Sequence, residues 1–259
     1  MTDVLGAGAR AEFGMYPFPS VAWAWEELWS AVASRVPWAP ERLTPAADVH
    51  AGWRDEACTV TQICGGPLMA EHRDDWTVIG AFSLDAEHAS GPAHYRSVLL
   101  SPHDRSIEEL TATTTQAIAN SVDSLSGWTS LIAATVGPGG TWPGTVTFTG
   151  SHLGSLQALA AGRADLASID GWSLAIVADE QPELVDGLHL VGLGPRVPTP
   201  AVAARPVLGD RRLAELRDAF DDAVADPELG EAAAALHVTG FARLTIDDYL
   251  PILPLQGAG

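Results

Sequence analysis

Lysine does not occur in this chain: all 14 of its basic residues are arginine, set against 33 acidic residues for a net charge of −19. Binding to a phosphate backbone relies on clustered Lys and Arg and leaves a basic footprint, so no nucleic-acid partner is expected. An anionic membrane surface is disfavoured for the same reason. Cysteine is nearly absent as well. Cys58 and Cys64 stand six residues apart with no CxxC and no second pair, which signals neither a zinc site nor a disulfide framework, and they read as buried thiols. No stretch approaches the roughly 18 uninterrupted apolar residues of a membrane span. From Met1 to Ala11 there is no basic segment followed by an apolar core of about 7–15 residues. As given, the chain is therefore expected to be soluble and cytoplasmic, or extracytoplasmic if a leader has been removed. With 259 residues, 47% hydrophobic and 18% charged, it can bury one large core or two medium ones.

The apolar patterning alternates between strand and helix. Strands are predicted over 11–16, 59–63, 76–82, 95–100, 116–121, 145–148, 166–169, 188–193 and 201–204. Between them, a helix capped by Ser20 carries Val21, Trp25, Leu28, Trp29 and Val32 on one stripe and stops before Pro37. Further helices are predicted at 67–73, 128–136, from Ser151 to a stop at Gly162, at 172–179, and at 210–225 with Leu213, Leu216, Phe220 and Val224 on one face. Ser106 with Glu109 forms a capping box, and Asp226-Pro227 supplies an N-cap and a first-turn proline to a helix that runs to about Leu236. Strands alternating with helices imply βαβ units in two small α/β domains with mostly parallel sheets. Ligands in such sheets bind beyond the carboxyl ends of the strands, against helix N-termini.

Three strand-to-helix junctions carry small hydroxyls and glycines: Gln62-Ile63-Cys64-Gly65-Gly66-Pro67, Asp123-Ser124-Leu125-Ser126-Gly127 and Phe148-Thr149-Gly150-Ser151-His152. Hydroxyls and unpaired backbone N–H groups at a helix start can hold an oxyanion without any lysine. Taken singly, Ser124, Ser126 and Ser151 read first as ordinary N-caps; three junctions of the same kind point to a ligand site. A fourth segment, Tyr95-Arg96-Ser97, opens a strand on which Tyr95 and Ser97 point one way and Arg96 the other. A catalytic reading would join Ser126, His152 and Asp170 in a triad, but the serine lacks the Gly-x-Ser-x-Gly elbow. His152 at a helix start has its cationic form disfavoured by the helix dipole, whereas a bound dianion would favour it. His88, His94 and His103 have no ligand-like spacing, so no metal and no cofactor is expected. Cys64 beside two glycines reads as a buried small residue rather than a nucleophile.

Taken in order, Gln62, Cys64-Gly65-Gly66-Pro67-Leu68, Tyr95-Arg96-Ser97, Asp123-Ser124-Leu125-Ser126-Gly127, Thr149-Gly150-Ser151-His152 and Ala160–Asp170 resemble the phosphate/phosphite/phosphonate-binding proteins of ABC transporters. The resemblance covers roughly residues 12 to 250. It implies the type 2 periplasmic-binding fold, α/β, with two mostly parallel sheets joined by two hinge crossings. By that resemblance lobe 1 is 1–98 plus 196–259 and lobe 2 is 99–195, with a small phosphonate- or phosphate-like oxyanion clamped between them. Its ligand contacts would be Gln62, Tyr95, Arg96, Ser97, Ser124, Ser126, Ser151, His152 and Asp170. Asp170 would face the non-phosphorus end of the ligand. An ABC permease would be the partner if the chain is exported. Relatives often carry an aromatic residue where Gly66 stands here, which implies a reshaped pocket. The alternatives are a cytosolic lyase- or dehydratase-type enzyme on the same scaffold, or a sensor acting on a partner protein.

Overall fold

The computed structural model describes residues 8–112 and 115–257; the segment before residue 8, on which part of the leader expectation rests, lies outside them. In chain order the elements are β1 (Arg10–Glu12), α1 (Ala22–Arg35), α2 (Val49–Arg54), β2 (Cys58–Ile63), α3 (Gly65–Glu71), β3 (Thr77–Leu84), β4 (His94–Tyr95), β5 (Val98–Ser101), α4 (Ile107–Thr111) and β6 (Gln116–Ala119). After these come α5 (Ser130–Thr135), β7 (Thr145–Phe148), α6 (His152–Ala160), β8 (Leu166–Ile169), α7 (Gly171–Glu180), β9 (His189–Leu193), β10 (Val197–Pro198), β11 (Ala201–Ala204), α8 (Gly209–Val224), α9 (Gly230–Ala235) and β12 (Val238–Ala242). The chain forms two compact units, one of Met1–Asp85, Gly91–Ala93 and Pro198–Leu250, the other of Ala86–Ser90, His94–Val197 and Pro251–Gly259. Tyr95, Arg96 and Ser97 thus belong to the second unit.

The first unit is built on a five-stranded sheet in the order β1-β2-β11-β3-β12. Strands β1, β2 and β3 run one way, while β11 pairs antiparallel with both β2 and β3, and β12 is antiparallel to β3. An aromatic cluster fills the layer over this sheet: Phe13 lies 5.6 Å from Trp25 and 6.1 Å from Phe220, and Phe220 stacks on Phe241 at 5.1 Å. Offset and edge-on ring pairs of this kind add to what area burial alone contributes. Trp25 and Trp29 are buried, whereas Trp23, off the apolar stripe of α1, is 44% exposed. Strand β1 is shorter than the 11–16 run expected, because the chain leaves the sheet after Glu12 to send Phe13 into this cluster. Ser20 does not cap α1; it sits inside a 3₁₀ turn that Pro19 opens, and the α-helix begins at Ala22. The apolar face of α8 buries Leu213, Leu216, Ala219, Phe220 and Ala223, close to the predicted stripe.

The second unit holds the other five-stranded sheet, β7-β6-β8-β5-β9. Strands β7, β6 and β8 are parallel; β5 is antiparallel to β8 on one side and to β9 on the other, so four of the five strands share a direction. Both sheets are therefore mixed in their hydrogen bonding, a departure from simple parallel βαβ pairing. The physical reason is that β5 and β11 are not fed by a crossover helix from the strand beside them, and so are free to insert antiparallel. The core of this unit gathers Leu99, Leu110, Ala117, Leu131, Ile132, Trp142 and Leu166. The Ser106–Glu109 capping box is present on α4, and Asp226 accepts from the Glu228 N–H ahead of α9. Among the described residues no helix is long and apolar enough to cross a membrane.

Candidate functional site

At the carboxyl ends of β6, β7 and β8 the second unit presents three turns, each running into a helix. After β6, the Ser124 side chain accepts from the Gly127 N–H at 3.0 Å and opens a π turn over Leu125–Thr129 that continues into α5. The helical run therefore starts earlier than the predicted residue 128. π turns are rare and concentrate at functional sites. After β7, Gly150 adopts φ +84°, a left-handed conformation that side chains resist, and this turn delivers Ser151 to the N-cap of α6. The Ser151 hydroxyl accepts from the Gly154 N–H at 3.0 Å. After β8, the Asp170 carboxylate accepts from the Ser173 N–H at 2.8 Å and caps α7.

These turns converge on one pair. Ser126 Oγ lies 3.0 Å from His152 Nε2, and the Asp170 backbone N–H donates to His152 Nδ1 at 3.3 Å. Ser126 is anchored from behind, because the Ser168 hydroxyl on β8 donates to its carbonyl at 2.7 Å. Residues from three separate strand ends are thus tied to one imidazole. Burial pushes the His152 pKa below its ordinary value near 6.5, and the Asp170 charge acts in the opposite sense. An unfolded chain then takes up this proton first as pH falls. The His152 contribution to stability is complete above about pH 6.5 and is lost as pH drops below that value. Melting temperature should accordingly fall between pH 7 and 5 more steeply for the parent protein than for His152→Gln; parallel profiles would show that the ring titrates normally.

The remaining candidates have the following surroundings. Ser97 is fully buried, and its hydroxyl donates to Ser130 Oγ at 3.0 Å, fastening β5 to α5. Arg96 donates through Nη1 to the Gly194 carbonyl at 2.8 Å, and Tyr95 is buried in β4. Trp172, two residues after Asp170, is fully buried at the start of α7. Gln62 sits on β2 of the first unit, 1% exposed, with neither its Oε1 nor its Nε2 hydrogen-bonded. An orphaned buried amide costs about 1–3 kcal/mol, a cost that a water or a polar ligand group reaching it would offset. Asn120 escaped the sequence reading. It is the first residue beyond β6; its carbonyl accepts from the Gly150 N–H at 2.8 Å, and its buried side-chain oxygen lies against Gly127. The signal that could have found it is a polar residue at the carboxyl end of a parallel strand.

This geometry does not build a Ser-His-Asp triad. In a triad the imidazole Nδ1 carries a proton that it gives to the aspartate, but here Nδ1 accepts from a backbone N–H and has none to give. What the arrangement offers is hydrogen-bond donors at helix starts, with no cationic side chain among Ser124, Ser126, Ser151 and His152. Among the described residues no group of three or more His, Cys, Asp and Glu side chains is placed to hold a metal ion.

The chain thus folds as two α/β units, each built on a five-stranded sheet with an antiparallel strand inserted among parallel ones. Residues 43–249 match the family described as "ABC transporter, phosphonate, periplasmic substrate-binding protein", and the chain belongs to it. Solved structures agree in fold. The binding protein component of an ABC phosphonate transporter from Pseudomonas aeruginosa superposes with a TM-score of 0.76 at 18% identity, covering 96% of this chain and 85% of that one. PhnD1 from Prochlorococcus marinus, in complex with methylphosphonate, gives 0.74 at 14% identity over 95% and 96% of the two chains. The aliphatic sulphonate binding protein SsuA from Escherichia coli gives 0.61 at 14% identity over 88% and 77%. No curated protein sequence matches the chain.

Proposed function

We propose that this protein captures a small phosphonate- or phosphate-like oxyanion outside the cytoplasmic membrane and presents it, unchanged, to an ABC permease with its ATPase. The observation that carries this reading is the Ser126–His152 pair, 3.0 Å apart where two helix starts meet. Helix starts and hydroxyls supply directed donors to an anion in a protein that has no lysine to offer, with the imidazole bonded behind the Ser126 hydroxyl. Ser124 and Ser151 shape the two turns, and Asp170 holds the ring through its backbone amide. Methylphosphonate bound to PhnD1 makes a phosphonate the first candidate ligand.

The test is a melting screen against phosphate, phosphite, methylphosphonate, 2-aminoethylphosphonate, sulfate and small carboxylates, with recovery of any hit for mass analysis. A ligand at about 100 times its Kd adds roughly 2.7 kcal/mol of stability, and each kcal/mol is worth about 2–4 °C in a chain of this size. A rise on the order of 5–10 °C with a phosphonate or phosphate, recovered intact, is the expected result. A hit converted to product would make the protein a catalyst. No shift with any phosphorus oxyanion would remove the reading altogether.

A further inference from the structure

We propose that His152 serves the anion site as a permanently neutral donor, locked in one tautomer, so that the second unit takes its anion without taking up a proton. The inference rests on the reading of Ser126 as a ligand contact backed by His152 and deepens it, by fixing where each proton of the site lies. A backbone N–H can only donate, so the Asp170 amide 3.3 Å from Nδ1 makes that nitrogen an acceptor. The single ring hydrogen of the neutral imidazole then lies on Nε2, and Nε2–H donates to Ser126 Oγ at 3.0 Å. With its oxygen accepting from the ring, Ser126 turns its own hydrogen to a ligand oxygen. The bonds run in one direction: Asp170 N–H to His152 to Ser126 to anion.

A bound dianion would ordinarily draw a second proton onto a nearby imidazole. Here that proton would have to enter at Nδ1, head-on to the Asp170 N–H. The amide has little room to turn away. It follows directly on β8, whose last residue Ile169 pairs with Val98 of β5, and its own side chain is committed to the Ser173 N–H as the cap of α7. The start of α6 opposes a positive charge as well, since the unpaired N–H groups of the first turn carry the positive end of the dipole. The elements packed against α6 are β6, β8, α7 and the turn at 182–184, whose titratable groups are Asp170 beyond β8, Asp179 and Glu180 on α7, and Glu183. Of these, and of Asp123 in the facing turn, only Asp170 exerts a charge effect on the ring.

The experiment reads the ring directly. Long-range proton–nitrogen spectra of ¹⁵N-histidine protein, with the His152 signals assigned by their loss in His152→Gln, are recorded between pH 6 and 8, free and with excess methylphosphonate. The expected pattern is a neutral ring protonated at Nε2 in both states. A proton on Nδ1 in the free protein, or a doubly protonated ring after methylphosphonate is added, overturns the proposal. Should methylphosphonate leave every signal in place, the binding reading fails with that probe, while the free-protein spectrum still decides the tautomer. A second measurement separates a donor from a merely structural imidazole. Gln places an amide donor at the position of Nε2, so His152→Gln should bind methylphosphonate within about tenfold of the parent, whereas His152→Asn, with its amide at the position of Nδ1, should bind more weakly than that. Equal losses in the two variants count against the donor role.

Discussion

Ser126→Ala is expected to weaken binding of methylphosphonate by about 10- to 100-fold, because a hydrogen bond to a charged group is worth about 1.5–3 kcal/mol and each 1.4 kcal/mol is a factor of ten. The same substitution should cost the free protein about 0.5–1.5 kcal/mol, the worth of the His152 Nε2–H bond to the hydroxyl, and leave the turn itself in place. Ser126 is not the cap of its helix: its side chain meets His152, and what ties it to β8 is its carbonyl, which alanine keeps. Ser124→Ala gives the complementary result, since Ser124 does cap the turn through the Gly127 N–H and its loss should cost about 1 kcal/mol of stability. Titration calorimetry and thermal melts on the two variants separate these roles. Arg211→Ala, on the exposed face of α8, serves as the control expected to change neither. If Ser126→Ala binds methylphosphonate as the parent does, the Ser126 hydroxyl is not a ligand contact.

Gly127→Ala should destabilise the second unit by on the order of 2 kcal/mol, a melting-temperature loss of roughly 4–8 °C. Alanine normally stabilises a helix by about 1 kcal/mol relative to glycine, so propensity alone predicts the opposite sign. Space decides it. A Cβ at Gly127 would overlap the Asn120 side-chain oxygen and come within 3.2 Å of Ser124 Oγ, the group that caps the turn. The double variant Asn120→Ala/Gly127→Ala removes the obstruction together with a buried oxygen that has no partner, and should melt at or above the parent temperature. If Gly127→Ala alone is stabilising, the turn relaxes readily and Asn120 has no part in shaping it.

Much of this protein was legible in its residues. The Ser106–Glu109 box, the Asp226-Pro227 helix start and the apolar stripe of α8 depend on neighbours a few positions apart, so local pattern was enough to find them. The type 2 periplasmic-binding architecture was also readable, since five short motifs in fixed order constrain a fold more tightly than any one of them does. Less legible were α2, a six-residue helix too short for a periodicity to declare itself, and the π turn at 125–129, whose five-residue backbone bonds leave no mark on hydrophobic spacing. Ser97 and Arg96 looked equally fit for a ligand or for structure along the strand. Their partners, Ser130 and Gly194, lie 33 and 98 residues away, so their hydrogen bonds within the second unit could not be read from the strand.

Composition alone, with no lysine and a net charge of −19, determined that no lysine cluster stands in this chain to meet an anion. Local pattern placed Ser124 and Ser151 at helix starts. Which residues meet was decided by the tertiary structure, because β6, β7 and β8 lie side by side in one sheet and bring residues 126, 152 and 170 to the same end of it. The tertiary structure also decided what the three do together. A serine, a histidine and an aspartate in a sequence are compatible with a catalytic triad. A backbone N–H pointed at Nδ1 reverses the direction of the hydrogen bond that a triad needs at that nitrogen.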